Sequence, residues 1–322
     1  MQPIALGLWG DNGHPIHAAL DRRPQLRLIA LGGLADATQA SLLDRWPAAR
    51  VCASFEQMLE TPGLQLVSLC SPVRAEQAQQ AIDALDAGVH VYAEKPCATN
   101  EADLDRLMHA AARGPARFHE MAGTIFEQPY WAMRQQLARG AIGQVVQVLA
   151  QKSYPHHAGR PTRSQIDGGL IAQNGVHAMR FVEHLTGLRA TSIEAIQTPL
   201  GETRADSDLQ MACTLMGRLE NGGIFSLIAN YLNPRGFGGW GNEMVRIFGT
   251  QGMIESTDAG RRTRLIIGDR DCGPLDASAP APDWLSLVLD DFAGRAAMPF
   301  DLETELHPTR MVLRASAALL EQ

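Results

Sequence analysis

The run "VHVYAEKPCATN" puts Glu94, Lys95 and Pro96 directly behind a short apolar stretch of β type. An ammonium group at that place could stabilise an oxygen that gains negative charge, and the proline behind it keeps the lysine backbone extended. The same three residues also suit a surface turn. A second run, "DGGLIAQNGVHAMRFVEHLTG", sets Gln173 and His177 four apart, on one face of a predicted helix. A neutral imidazole there could take a hydroxyl proton, with an amide beside it to hold the substrate. Flanked by Val176, Met179 and Phe181, it could equally be a core histidine with its polar atoms satisfied.

A third run, "IALGLWGDNGHPIH" at residues 4–17, has Gly10 and Gly13 of a dinucleotide-binding turn. Asp11-Asn12 stands where a middle glycine would let the backbone approach a pyrophosphate. Two unit charges about 4 Å apart at an effective dielectric near 20 repel by roughly 4 kcal/mol, nearly a thousandfold in affinity. Asp11 therefore turns away from the cofactor, or binding is arranged differently, or no dinucleotide binds. With Gly10, Gly13 and a helix start near His14 to His17, the turn can still offer backbone N–H groups and a helix dipole to an anion.

These residues need particular elements to hold them. Up to about residue 120, the apolar runs Ile4–Leu8, Leu26–Leu31, Leu64–Cys70, Val89–Ala93 and Arg117–Glu120 alternate with helical patterns, which predicts a parallel sheet. "RAEQAQQAIDALDAGVH" reads as a crossover helix stopped by Gly88. Lys95 then lies at a sheet edge where α/β proteins bind ligands. Beyond residue 125 the pattern predicts a helix over 129–139, a strand over 144–152 and a helix over 169–185 closed by Gly187. Longer alternating strands follow, with Asn221-Gly222-Gly223 as a hairpin turn, so this sheet is antiparallel. The glycine-rich loop at 233–242 reads as a long hairpin connection between the next two strands, with a mobile lid as the alternative. "DASAPAPDW" leads into two closing helices.

With 322 residues, 45% of them hydrophobic, the chain has the length of two packed domains, and its net charge of −7 argues against nucleic acid or an anionic membrane as partner. No apolar run approaches the roughly 20 residues of a membrane span, and the N-terminus lacks a signal pattern, which points to the cytoplasm. Five scattered cysteines without a C-x-x-C pair suggest neither disulfides nor zinc, and most read as small buried hydrophobes. "HEMAG" at 119–123 lacks the second histidine of a zinc helix, and no G-x-S-x-G elbow is present. Arg261, Arg262 and Arg264 before Leu265-Ile266-Ile267 read as the solvated start of a strand.

Glu94-Lys95-Pro96, Gly168-Gly169, Gly175-Val176-His177 and "RIFGTQGMIES" at 246–256, in this order before a closing helical pair, resemble the Gfo/Idh/MocA family over nearly the whole chain. The resemblance implies an α/β fold: an N-terminal Rossmann domain with a doubly wound parallel sheet (1–122), and a C-terminal α/β domain with a large, mostly antiparallel open sheet (123–322). That second sheet would mediate a homodimer or homotetramer. The implied activity is an oxidoreductase using NAD or NADP on a sugar, polyol or related small hydroxylated molecule.

Lys95 and His177 inherit the catalytic roles by resemblance and, coming from different domains, would meet in the cleft between them. Trp9, Gly10, Asn12 and Gly13 would contact the cofactor from the first turn. Ser71, Pro72, Glu94 and Lys95 would do so from the later strand ends. Gln173, Arg163 and His156 would contact substrate, although His156, His157, Arg160 and Arg163 also suit a surface loop. No metal is implied.

Departures from the family pattern bear on this reading. Gln173 replaces an aspartate four residues before the histidine, and an amide cannot raise its basicity by charge. Gly33 stands where an acid would bind the ribose hydroxyls, with Asp36 three residues on and no adjacent arginine for a 2′-phosphate, so the preference between NAD and NADP is not legible. Asp11 and Gln173 are also what a non-catalytic, ligand-sensing protein on this fold would carry.

Overall fold

The computed structural model describes residues 3–121 and 123–320. It resolves into two compact units: Met1–Met121 with Gln165–Gly168 and Val288–Leu306, and Ala122–Ser164 with Gly169–Leu287 and His307–Gln322. The boundary expected at 122 falls on Ala122, which lies outside the described residues.

The first unit is built on a six-stranded sheet of β1 (Ile4–Trp9), β2 (Leu26–Gly32), β3 (Arg50–Cys52), β4 (Leu66–Leu69), β5 (His90–Ala93) and β6 (Phe118–Glu120). Their order is β3-β2-β1-β4-β5-β6 and every pairing is parallel. This is the doubly wound order, with its switch point at β1, between β2 and β4. From Ala5 onward β1 is buried, because helices cover both faces. Three-residue β3 escapes a reading by apolar runs, since Arg50 and Val51 are exposed and only Cys52 is buried. The crossover helix Gln77–Asp86 ends as expected, with Gly88 in the left-handed region. The segment after β1 departs from expectation: it is a seven-residue 3₁₀ helix, Ile16–Arg22, entered through Pro15. So short a helix supplies little of the dipole on which an anion site would draw.

The second unit carries an eight-stranded sheet of β7 (Val145–Ser153), β8 (Ala190–Thr198), β9 (Ala212–Leu219), β10 (Ile224–Asn230), β11 (Asn242–Gly249), β12 (Gly252–Thr257), β13 (Arg262–Ile267) and β14 (Arg270–Gly273). The order is β14-β13-β12-β11-β7-β10-β9-β8, antiparallel except between β7 and β10. β9 and β10 form the expected hairpin across Asn221-Gly222-Gly223, and the arginines open β13. The loop at 233–242 corrects the hairpin reading: it links β10 to β11, but β7 lies between them, so the connection crosses over a strand. Helices Tyr130–Ala138 and Val176–Thr186 pack on one face. On the strands Met216, Ile224 and Ile228 are exposed while their neighbours Leu215, Phe225 and Leu227 are buried, the period-two pattern of a sheet with unlike faces. No helix among the described residues is long and apolar enough to cross a membrane. Cys52, Cys70, Cys97 and Cys213 are buried as expected, and Cys272 is exposed.

At the β6 edge, His119 is a buried ion-pair centre. Its Nδ1 lies 2.8 Å from Glu305 Oε2 and its Nε2 3.1 Å from Asp291 Oδ2, both on the returning segment Val288–Leu306. Burial alone would lower the imidazole pKa, but Glu305 and Asp291 outweigh it and raise it to about 9. A folded pKa above the unfolded value of about 6.5 contributes stability that is complete below pH 6.5 and lost as pH rises through 9. The contribution is on the order of 3 kcal/mol. Thermal melts from pH 6 to 9.5 should therefore show a decline in melting temperature that His119→Asn largely removes, with the variant already less stable at pH 6. Parallel wild-type and variant curves would refute the assignment.

Candidate active site

The turn after β1 is shaped by lack of space. Gly10 has φ of 76°, and a Cβ there would stand 1.9 Å from the Cys70 carbonyl oxygen, so only glycine lets this turn lie against the end of β4. Gly10 N donates to Gly32 O, Asn12 N to Cys70 O, Gly13 N to Asp11 O and His14 N to Glu94 Oε2. Most of the amides expected to face an anion are thus engaged by the protein, and the Asp11 N–H alone among Gly10–His14 has no acceptor among the described residues. The Asp11 side chain resolves the charge conflict by leaving the turn: its Oδ2 accepts from Ala35 N at 3.1 Å, beyond the end of β2. Trp9 turns its indole into the core, edge-on to Phe55 at 5.4 Å, with Nε1 buried and no acceptor among the described residues.

Glu94 and Lys95 follow β5 and are almost entirely buried. Glu94 Oε1 lies 2.9 Å from His14 Nδ1 and 3.9 Å from Lys95 Nζ. Burial alone would raise the Glu94 carboxyl, yet the His14 ring, the Lys95 ammonium and the Arg74 guanidinium outweigh it and hold the pKa down at about 2. The Lys95–Pro96 peptide is cis. Two residues that sequence patterns did not single out tie this edge together. Arg74 donates to Asn12 O and to Gln77 Oε1, and Gln77 donates to Glu94 O and Pro96 O. Their spacing of three at the start of the crossover helix was the available signal. Ser71 uses its hydroxyl within its own turn, on Val73 O, while Pro72 packs on Gly10 and accepts from Asn12 Nδ2. Asn12 also donates to Ile166 O at 2.6 Å, and a Cβ on Gly168 would stand 2.7 Å from Pro96 Cγ. The short return Gln165–Gly168 thereby belongs to this edge.

In the second unit the expected helix begins as a π turn, Ile171–Gly175, and becomes α-helical over Val176–Thr186. Such turns often lie at functional sites. Gln173 Oε1 accepts from Tyr231 OH at 3.2 Å, and Arg160 stacks over the Tyr231 ring at 3.7 Å. His177 is nine-tenths buried, with Nδ1 3.0 Å from Thr124 Oγ1 and its ring edge-on to Tyr154. His156 and His157 line a cavity of about 400 Å³ with Pro155, Arg235 and Trp240. The His157 and Tyr154 rings lie 5.6 and 6.0 Å from Trp240, which is 58% exposed on the glycine-rich crossover. Arg163 is exposed and does not line this cavity.

The first unit fits a dinucleotide: the doubly wound order puts its switch point at β1, and the Gly10 turn there leaves no room for a Cβ. Residues 6–121 match the family model of an oxidoreductase family with an NAD-binding Rossmann fold, and residues 130–255 match the GFO/IDH/MocA C-terminal domain. Inositol 2-dehydrogenase of Gluconacetobacter diazotrophicus is 26% identical over 205 residues, 58% of this chain and 60% of that enzyme. The chain thus spans less than two thirds of that relative's length. Among solved structures, the WlbA dehydrogenase of Chromobacterium violaceum, in complex with NADH and UDP-GlcNAcA, shares the fold with a TM-score of 0.81 at 18% identity, over 99% of this chain and 95% of that one. The aldose-aldose oxidoreductase of Caulobacter crescentus, complexed with glycerol, has a TM-score of 0.79 at 16% identity over 98% of each chain. Both domain models match in order along one chain, and this protein therefore belongs to the Gfo/Idh/MocA oxidoreductase family, its first unit being the NAD-binding Rossmann domain.

Proposed function

We propose that this protein transfers a hydride between a nicotinamide cofactor and a secondary alcohol or ketone of a sugar, polyol or related small hydroxylated molecule. The observation that carries the reading is Lys95: an ammonium with no exposed surface, behind β5 and beside an ionised carboxylate, in a chain of this oxidoreductase family. The bound dinucleotide supplies the hydride acceptor or donor. Lys95 holds the substrate oxygen and stabilises the negative charge it gains, and His177 takes up or returns the hydroxyl proton. Thr124 sets the orientation of the His177 ring through Nδ1. The cavity with Trp240, His157 and Arg235 suits the C–H face and hydroxyls of a sugar or cyclitol ring. Relatives whose names specify inositol or aldose substrates support the same substrate class.

Turnover of Lys95→Met, His177→Ala and the double variant, measured against a panel of polyols and sugars, tests this reading. Each single variant should lose about 10²-fold or more, and the double far less than the product, because the two groups act on one oxygen. Melting temperatures serve as control. Full activity in either single variant, or a loss explained by unfolding, would return His177 to the role of a core histidine.

A second expectation concerns Gln173. Gln173→Asp places a carboxylate on the helix face of His177, and a negative charge within about 4 to 6 Å raises an imidazole pKa. The limb of the pH profile of kcat/KM that reports the base should move to higher pH. An unmoved limb would mean that residue 173 serves Tyr231 alone.

A further inference from the structure

The end of β2 is ill-suited to an acid in this chain, for a reason the structure makes explicit. Gly33 has φ of 64°, and a Cβ on it would stand 3.1 Å from Trp9 Cε2 and 3.3 Å from Cζ2. Trp9 also lies below Gly32, whose Cβ would come within 2.6 Å of Cζ3. At Gly32 the Cys52 carbonyl and the indole leave no room for a side chain, and at Gly33 a side chain would meet left-handed backbone and a tight contact with the indole. A carboxylate nevertheless reaches this place, from another strand. Asp11 spans from the β1 turn to the β2 exit, where Oδ2 accepts from Ala35 N at 3.1 Å. Oδ1 has no partner among the described residues, and the side chain is half-exposed.

The chain that leaves β2 beside this carboxylate carries no cation to receive a second anion. From Gly33 to Asp44 the chain has no lysine or arginine, and Asp36 opens the helix Asp36–Arg45. His17 lies in the field of Asp11, but burial lowers its pKa below the ordinary value, so at neutral pH it does not offset the carboxylate. Gly33 and Ala35 are both exposed, so the β2 exit faces solvent.

We propose that Asp11 is the carboxylate that receives the adenosine ribose hydroxyls of the cofactor, in place of an acid at the end of β2, and that it makes this enzyme selective for NAD over NADP. The inference rests on the assignment of a nicotinamide dinucleotide to the first unit. A carboxylate accepts hydrogen bonds from a ribose diol, whereas a 2′-phosphate sets further negative charge against it. The aspartate that looks misplaced in the glycine turn thus serves cofactor choice.

Calorimetric titration of the full chain with NADH and with NADPH, at low and high salt, tests the proposal without any turnover. Wild type should bind NADH about a hundredfold or more tightly than NADPH, with the gap narrowing as salt screens the charge. Asp11→Asn keeps an acceptor for Ala35 N and should leave the melting temperature nearly unchanged. It should tighten NADPH by about tenfold or more and weaken NADH severalfold. Equal binding of the two nucleotides by wild type, or an Asp11→Asn variant with the wild-type ratio of dissociation constants, would overturn the proposal and leave Asp11 as a contact that steadies the β2 exit. Failure of wild type to bind either nucleotide at millimolar concentration would overturn the cofactor assignment as well.

Discussion

A buried carboxylate governs the ligand-binding edge of the first unit. Glu94 is 1% exposed, and burying an ionised group of this kind costs several kcal/mol unless its oxygens are paired. Its oxygens are paired by the N–H and ring of His14, with Lys95 close by, and its own amide donates to Leu69 O. One side chain therefore ties the turn after β1 to the exit of β5. The same partners hold its pKa down at about 2, so the carboxylate is ionised at neutral pH. Lys95 is buried beside it, with its ammonium 3.9 Å from Glu94 Oε1 as counter-ion.

Around this centre the remaining polar groups act as struts. Gln77 donates to both carbonyls that bracket Lys95, those of Glu94 and Pro96, and Arg74 holds Gln77 in turn while also gripping the Asn12 carbonyl. The backbone that carries Lys95 is thus held on either side. On the other flank of β1, Trp9 fills the space under Gly32 and Gly33. One large ring there crowds both positions against a side chain.

The second unit solves a different problem with irregular backbone. A π turn precedes the helix of His177, and the hydroxyls of Thr124 and Tyr231 engage His177 and Gln173 from outside that helix. The aromatic cavity by Trp240 depends on a loop that passes over β7 on its way from β10 to β11. The insertion of β7 between strands adjacent in sequence turns a would-be hairpin loop into a crossover, and it brings the exit of β7, with His156 and His157, to the same cavity.

The order of apolar runs, the crossover helix stopped at Gly88 and the hairpin at Asn221-Gly222-Gly223 were legible in the sequence, because each rests on local periodicity or turn chemistry. Lys95, His177 and the glycine turn stood out in the sequence because their types and spacing carry the family pattern. The β3 strand was not legible, having one buried residue and no period to read. Nor was the loop at 233–242 placed correctly, because strand order is set by pairing between distant segments. The direction of Asp11 lay furthest from reach. Its sequence neighbours suggest a clash with a pyrophosphate, and only the packing of Trp9 against Gly33, together with the Ala35 N–H 24 positions away, shows where its charge goes. Sequence determines which groups are present and their local conformation; which of them meet is decided by steric exclusion and hydrogen-bond satisfaction between strands, quantities that exist only once the chain is packed.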